Sequence, residues 1–145
     1  MQSTQHPATL PGDNASGSAA TLRHAAAYLR RYGWTQYCYY RYTLDTAATG
    51  TFPQACVAGA IRCAVLGRPI ENLLDVIGTF WNDEEQEAIW AAEDLLADLI
   101  NPDRTPGAFE PGELIHDWND APGRTLADVL DTLETAHDTQ LVGAR

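Results

Sequence analysis

A mainly α fold is predicted, a compact bundle of five to six helices with an aromatic extended segment packed on it. Three observations predict it. Apolar residues recur at intervals of three and four along most of the chain, the period of a helix with one buried face. Glycine, proline and Asn/Asp positions punctuate those stretches where helices stop and start. One aromatic, β-favouring stretch, residues 34–44, has no second convincing strand to pair with, and a lone strand is unstable. The 145 residues are 45% hydrophobic, enough for a single core. The expected organisation is a flexible N-terminal tail over 1–18, one helical domain over 19–138 and a frayed C-terminus over 139–145.

The tail is rich in Ser, Thr, Pro, Gly, Asn and Gln and lacks periodicity. Thr21 to Tyr32 carries Leu22, Ala25, Ala26 and Leu29 at helical spacing, with Gly33 as the left-handed stop. After the aromatic segment, Asp45 to Phe52 reads as a loop. Pro53, a residue favoured in a first helical turn, is expected to open a helix to Leu66 closed by Gly67. That helix has a small-residue face of Cys56, Gly59, Ala60, Cys63 and Gly67, which lets another backbone approach closely and marks it as the centre of the fold. Pro69 opens a third helix to about Trp81. Asp83 with Gln86 is expected to cap a fourth, ending at Ile100 before Asn101-Pro102, with Ile89, Ala92, Leu96 and Leu99 inward and Glu93, Asp94 and Asp98 in water. A short helix from Glu113 to Trp118 leads to the turn Asn119–Arg124. Thr125 and Asp128 start the last helix as a variant capping box, with Leu126, Val129, Leu130 and Leu133 as its core stripe. Trp-Asn-Asp occurs at 81–83 and again at 118–120, each time before a helix, and is read as repeated capping chemistry.

Charge is divided along the chain. Residues 1–68 hold six arginines against Asp13 and Asp45, a balance of +4. Residues 69–145 hold 18 acids against Arg104, Arg124 and Arg145, a balance of −15, for a net −11. That total repels a nucleic-acid backbone and argues against a nucleic-acid partner. No stretch approaches the run of about 18 apolar residues that a membrane span requires. The first 20 residues have neither the basic start nor the apolar stretch of a secretion signal, so the cytoplasm is the expected compartment. Cys38, Cys56 and Cys63 are then expected as reduced thiols. Their spacings of 18 and 7 match no zinc pattern, and no calcium loop is present, so no metal or cofactor is expected.

Three motifs carry a resemblance: Gly33, Trp34 and Gln36; then Cys56, Gly59, Ala60 and Ile61; then Trp118, Asn119, Asp120, Ala121, Pro122, Gly123 and Thr125, with Val129 in the following helix. In these motifs and their order, residues 22–136 resemble a family of small, functionally uncharacterised proteins of bacteria and their phages. Members often carry cysteine where Thr35 stands, so no role that needs a thiol there carries over. The resemblance implies a fold and no particular activity.

The residues themselves offer several chemistries, each beside a structural alternative. Gln36, Cys56, His116 and Asn119 follow the order of oxyanion donor, nucleophile, base and orienter in papain-like thiol enzymes, with Asp120 as an alternative orienter. A cysteine at a helix start is favoured as thiolate by the helix dipole, yet Val57, Ala58 and Ile61 beside it equally suit a packed core cysteine. Asp83, Glu84, Glu85 and Glu87, or Asp117 and Asp120, are carboxylates for a divalent ion, or simply solvated acids at a helix start. The aromatic-basic run from Arg30 and Arg31 through Trp34, Tyr37, Tyr39, Tyr40, Arg41 and Tyr42 would stack bases of a single strand, or form a second core layer. Trp34, Gln36, Trp118 and Arg124 are the candidate binding residues, Arg124 being expected to pair with a nearby carboxylate. The leading expectation is a non-enzymatic acidic accessory protein whose C-terminal half meets a basic protein partner. The alternative is a cysteine-dependent hydrolase or transferase using Cys56 with His116 and Asn119 or Asp120.

Overall fold

A computed structural model describes residues 14–69, 82–105 and 111–143. Within them lie six helices and one two-stranded antiparallel ladder: α1 (Asn14–Tyr32), β1 (Tyr40–Arg41), α2 (Leu44–Thr49), β2 (Gln54–Ala55), α3 (Val57–Leu66), α4 (Asp83–Ile100), α5 (Pro111–Asn119) and α6 (Leu126–Gly143). The helical bundle is as the periodicity predicts. The expected helix from Pro69 to Trp81 lies outside the described residues apart from Pro69 itself, as does Trp81 of the first Trp-Asn-Asp echo.

Helix α1 buries Ala19, Leu22, Ala25, Ala26 and Leu29 on one stripe and packs on α6, α3 and α4. It begins at Asn14, so residues 14–18, expected in the tail, are helical. Ser18 and Ala19 are already buried, and Thr21 returns its hydroxyl to the Gly17 carbonyl at 2.9 Å. Gly33 ends the helix at φ 104° and receives Gln54 so closely that a Cβ would lie 2.9 Å from its Cγ.

Helix α3 is the centre of the fold: Val57 through Cys63 are all buried. It starts at Val57 rather than Pro53. Gln54 and Ala55 are taken by the ladder with Arg41 and Tyr40, and the Pro53 carbonyl accepts the Tyr28 hydroxyl at 2.7 Å. These tertiary bonds override the preference of proline for a first helical turn. The N-cap is Cys56, whose sulfur accepts the Gly59 N–H at 3.4 Å, and Gly67 closes the helix in the left-handed conformation. The aromatic segment crosses this helix at its small-residue face. The Tyr39 carbonyl accepts the Cys56 N–H at 2.9 Å, and the Tyr40 hydroxyl donates to the Gly59 carbonyl at 2.9 Å. A Cβ at Gly59 would meet the Tyr39 carbonyl at 2.6 Å, so the motif cysteine and glycine serve this crossing.

Three other expectations are corrected. Leu44, expected in the extended segment, and residues 45–49, read as loop, form α2, capped by a reciprocal Thr43–Thr46 box and stopped by Gly50 at φ 73°. Helix α4 is capped by Asn82 with Glu85, one residue earlier than the expected Asp83–Gln86 pair. Glu93 does not face water: it is 5% exposed, because it shares the inward stripe of Ile89, Ala92, Leu96 and Ala97. Helix α6 is capped as expected, with reciprocal bonds between Thr125 and Asp128, and it extends to Gly143. None of the helices among the described residues is long and apolar enough to cross a membrane.

Candidate functional site

The two motifs flanking the bundle, Gly-Trp-x-Gln and Trp-Asn-Asp-Ala-Pro-Gly, meet at Asn119, the last residue of α5. Its side chain is 1% exposed and uses its full capacity. Its Oδ1 accepts the Trp34 indole N–H at 2.8 Å and the Val57 backbone N–H at 3.0 Å. Its Nδ2 donates to the Thr35 carbonyl at 3.2 Å and to Asp120 Oδ1 at 2.9 Å. Gln36 Nε2 donates to the carbonyls of Asn119 and Ala121 at 3.0 and 3.2 Å. Asp120 Oδ1 also accepts the Tyr37 N–H at 2.9 Å, holding Tyr37 in the left-handed region at φ 71°. Asn119 therefore ends one helix and ties it to two others' connections, whereas Asn82 caps the start of α4. The repeated Trp-Asn-Asp does not repeat one chemistry.

Arg124 donates through Nε to the Trp118 carbonyl at 2.9 Å and lies over the Trp118 ring, 4.8 Å from its centroid. The expected carboxylate partner is absent among the described residues. With Gly123 at φ 83° and the Arg124 N–H donating to the Ala121 carbonyl at 3.1 Å, these contacts fix the turn into α6.

Cys56 lies beside this clasp, since its neighbour Val57 donates to Asn119. Its thiol is 2% exposed, and burial pushes its pKa up to about 11, against the helix-start bonds from Gly59 and Ala58 and the Arg62 charge, which favour the thiolate. His116 points elsewhere: its Nε2 is 3.3 Å from the Tyr39 hydroxyl, with ring centroids 5.2 Å apart. The structure thus brings Trp34, Gln36, Asn119 and Asp120 together around the backbone next to Cys56. The polar side-chain partner of His116 is Tyr39, and the Asn119 amide is fully committed without the imidazole.

A cleft of about 470 Å³ opens on the His116 side, between α4 and α5. Tyr39, Trp90, His116, Glu93, Asp94 and Glu113 line it, with Pro111 and Gly112 at the start of α5. Beneath Tyr39, Arg62 is held by Glu93 at 2.9 Å and by the Ala58 carbonyl at 3.1 Å, its guanidinium 5.3 Å from the Tyr39 ring centroid. Burial works to lower the Arg62 pKa, but the Glu93 charge and the tyrosines reverse that, so the arginine stays cationic. Burial also raises the Tyr39 pKa, with Arg62 opposing, so its hydroxyl is neutral at pH 7. Helical spacing alone contained the signal for Glu93, four residues after Ile89 and three before Leu96. Trp90, 57% exposed, and Glu113 gave no such signal.

Among the described residues, no group of three or more His, Cys, Asp or Glu side chains is arranged to hold a metal ion. No curated protein and no solved structure matches the chain. A family model does match, over residues 14–139, which takes in both motifs of the Asn119 clasp, and the chain belongs to that family, a family of unknown function (DUF6197).

Proposed function

We propose that this protein is a non-enzymatic acidic interaction protein whose C-terminal half docks a basic protein partner. The observation that carries the reading is the presentation of charge on α4, α5 and α6. Glu84, Glu87, Glu113, Asp117, Asp128 and Asp131 are all exposed. The nearby cations are engaged: Arg104 by Asp94 at 3.2 Å and Asp98 at 2.8 Å, Arg124 by Trp118. A surface of one sign steers an oppositely charged partner and raises its association rate. On this reading the protein works in the cytoplasm of a bacterium or a phage-infected cell; the three free cysteines fit a reducing compartment and do not bear on the organism.

A cysteine hydrolase or transferase would need a thiol that substrate reaches and a base within hydrogen-bond distance of it. Burial of Cys56, its raised pKa and the commitment of Asn119 to Trp34, Val57, Thr35 and Asp120 favour the binding reading instead. The test is retention of a synthetic arginine-serine repeat peptide on immobilised protein. Capture at about 50 mM salt that is lost by a few hundred millimolar supports the reading, because screening shortens the reach of surface charge. No retention at low salt overturns it. Alkylation of Cys56 at pH 7 in the folded protein, at the rate of a free thiol, would reinstate the enzyme.

A further inference from the structure

We propose that the cleft between α4 and α5 is a receptor for the guanidinium of an arginine side chain on the basic partner; this rests on the partner reading above. The cleft combines two features that together recognise a cation, and a merely solvated acidic face has only one of them. The first is its aromatic lining. Trp90 is 57% exposed on α4, a large ring left in solvent, and Tyr39 and His116 line the same cleft. Aromatic faces attract cations, tryptophan most strongly and arginine more often than lysine. The second is its carboxylates. Glu113 is exposed and makes no ion pair among the described residues, and Asp94 reaches the same cleft while sharing Arg104 with Asp98.

The protein's own Arg62 shows the chemistry in miniature. Its guanidinium lies 5.3 Å from the Tyr39 ring centroid and pairs with Glu93, so cation, ring and carboxylate already meet at the wall of the cleft. Arg62 neutralises Glu93 and Arg104 pairs with Asp94, which leaves Glu113 as the carboxylate available to a ligand. A planar guanidinium both stacks on a ring and offers two parallel donors to a carboxylate, which an ammonium does not. The occupant is therefore an arginine presented by a protein, laid against Trp90 with its donors toward Glu113.

The experiment is a residue-resolved NMR titration of the full chain with a capped Gly-Ser-Arg-Ser-Gly peptide. The same peptide with lysine, and with citrulline as the neutral isostere, are run beside it. The expected result is saturable shifts centred on the Trp90 indole, Glu113 and His116 with the arginine peptide, weaker binding of lysine and loss with citrulline. Trp90→Ala and Glu113→Gln are each expected to weaken binding about fivefold or more. Asp131→Asn, an exposed acid on α6 away from the cleft, is expected to leave it unchanged. Both cleft residues are exposed, so their replacement spares the core, and unchanged spectra elsewhere verify the fold. Absence of binding, shifts spread over the acidic surface, or indifference to Trp90→Ala and Glu113→Gln overturns the cleft. Equal binding of the lysine peptide overturns the guanidinium assignment. If the arginine-serine repeat is still captured in any of these cases, the partner reading survives and only the receptor site falls; if that capture also fails, both fall.

Discussion

Asn119 bonds four different partners from a position with almost no access to water. Removing such a side chain strands groups rather than merely deleting bonds, and each buried donor or acceptor left unpaired costs about 1–3 kcal/mol. Asn119→Ala orphans the Val57 N–H and the Thr35 carbonyl and frees Trp34 and Asp120. It is expected to cost about 3 kcal/mol or more, read as a lower urea midpoint with little change in slope. Asn119→Asp preserves both accepted bonds but loses the donor to Thr35 and sets a second carboxylate against Asp120. Its deficit is expected to grow as pH rises through the carboxylate range, since the introduced group ionises beside a like charge. An alanine variant with unchanged stability would show that the clasp does not hold the two motifs together. The sequence singled out Asn119 but offered a different role, orienting His116, three residues before it. Local pattern ended the helix at Trp118 and left Asn119 in the turn; it said nothing of Trp34 and Thr35, more than 80 residues away, which claim the amide.

Element α3 shows how far local pattern carries and where it stops. Its small-residue face was legible, as was its left-handed stop at Gly67, because both are properties of a few neighbouring residues. Its start was not, because the ladder between β1 and β2 and the Tyr28–Pro53 bond are long-range. Helix α2 was missed for the opposite reason. Leu44 is 90% exposed, so no buried apolar period marks the element, and only the Thr43–Thr46 box and Gly50 announce it. Two predictions belong to this scale. Gly59→Ala must move the Tyr39 carbonyl, a backbone atom in a hydrogen-bonded segment, and is expected to destabilise by about 1–3 kcal/mol, whereas alanine at the open helical position Gly112 is expected to stabilise slightly. Thermal melts of the two variants check the pair, and a neutral Gly59→Ala would mean that the crossing yields. The Arg62–Glu93 pair links α3 to α4 with side chains 10% and 6% exposed. Arg62→Met alone leaves a buried carboxylate without its cation and is expected to cost about 3–5 kcal/mol, while Arg62→Met with Glu93→Leu is expected to recover most of that loss. Failure of the double variant to recover would show that Arg62 also contributes stability through its contacts with the Ala58 carbonyl and the Tyr39 ring.

Among the described residues, and apart from the buried Arg62–Glu93 ion pair, ionisable groups divide into an exposed charged set and a buried set of phenols and thiols that the fold keeps neutral. Tyr28, Tyr39, Cys56 and Cys63 all have raised pKa values, burial being the largest cause in each. Cys56 moves from 9.0 to about 11. A group whose folded pKa exceeds its unfolded value binds more protons when folded, so its stabilising contribution is complete below the unfolded pKa. It is lost as pH rises toward the folded pKa. Stability is therefore expected to hold through neutral pH and to fall between about pH 9 and 11, where the unfolded thiols and phenols ionise and the folded ones resist. The net −11 charge sharpens the fall, because each further negative charge joins a surface that already repels itself. Urea midpoints at pH 7, 8.5, 9.5 and 10.5 measure the decline, and Cys56→Ala isolates one contributor. With that thiol removed the neutral-pH midpoint drops through loss of the α3 cap, about 1 kcal/mol, while the decline from pH 8.5 to 10.5 becomes shallower. A decline just as steep in Cys56→Ala would mean that the thiol ionises freely in the native state. It would then be exposed enough to react, and the balance between binding protein and thiol enzyme would shift toward the enzyme.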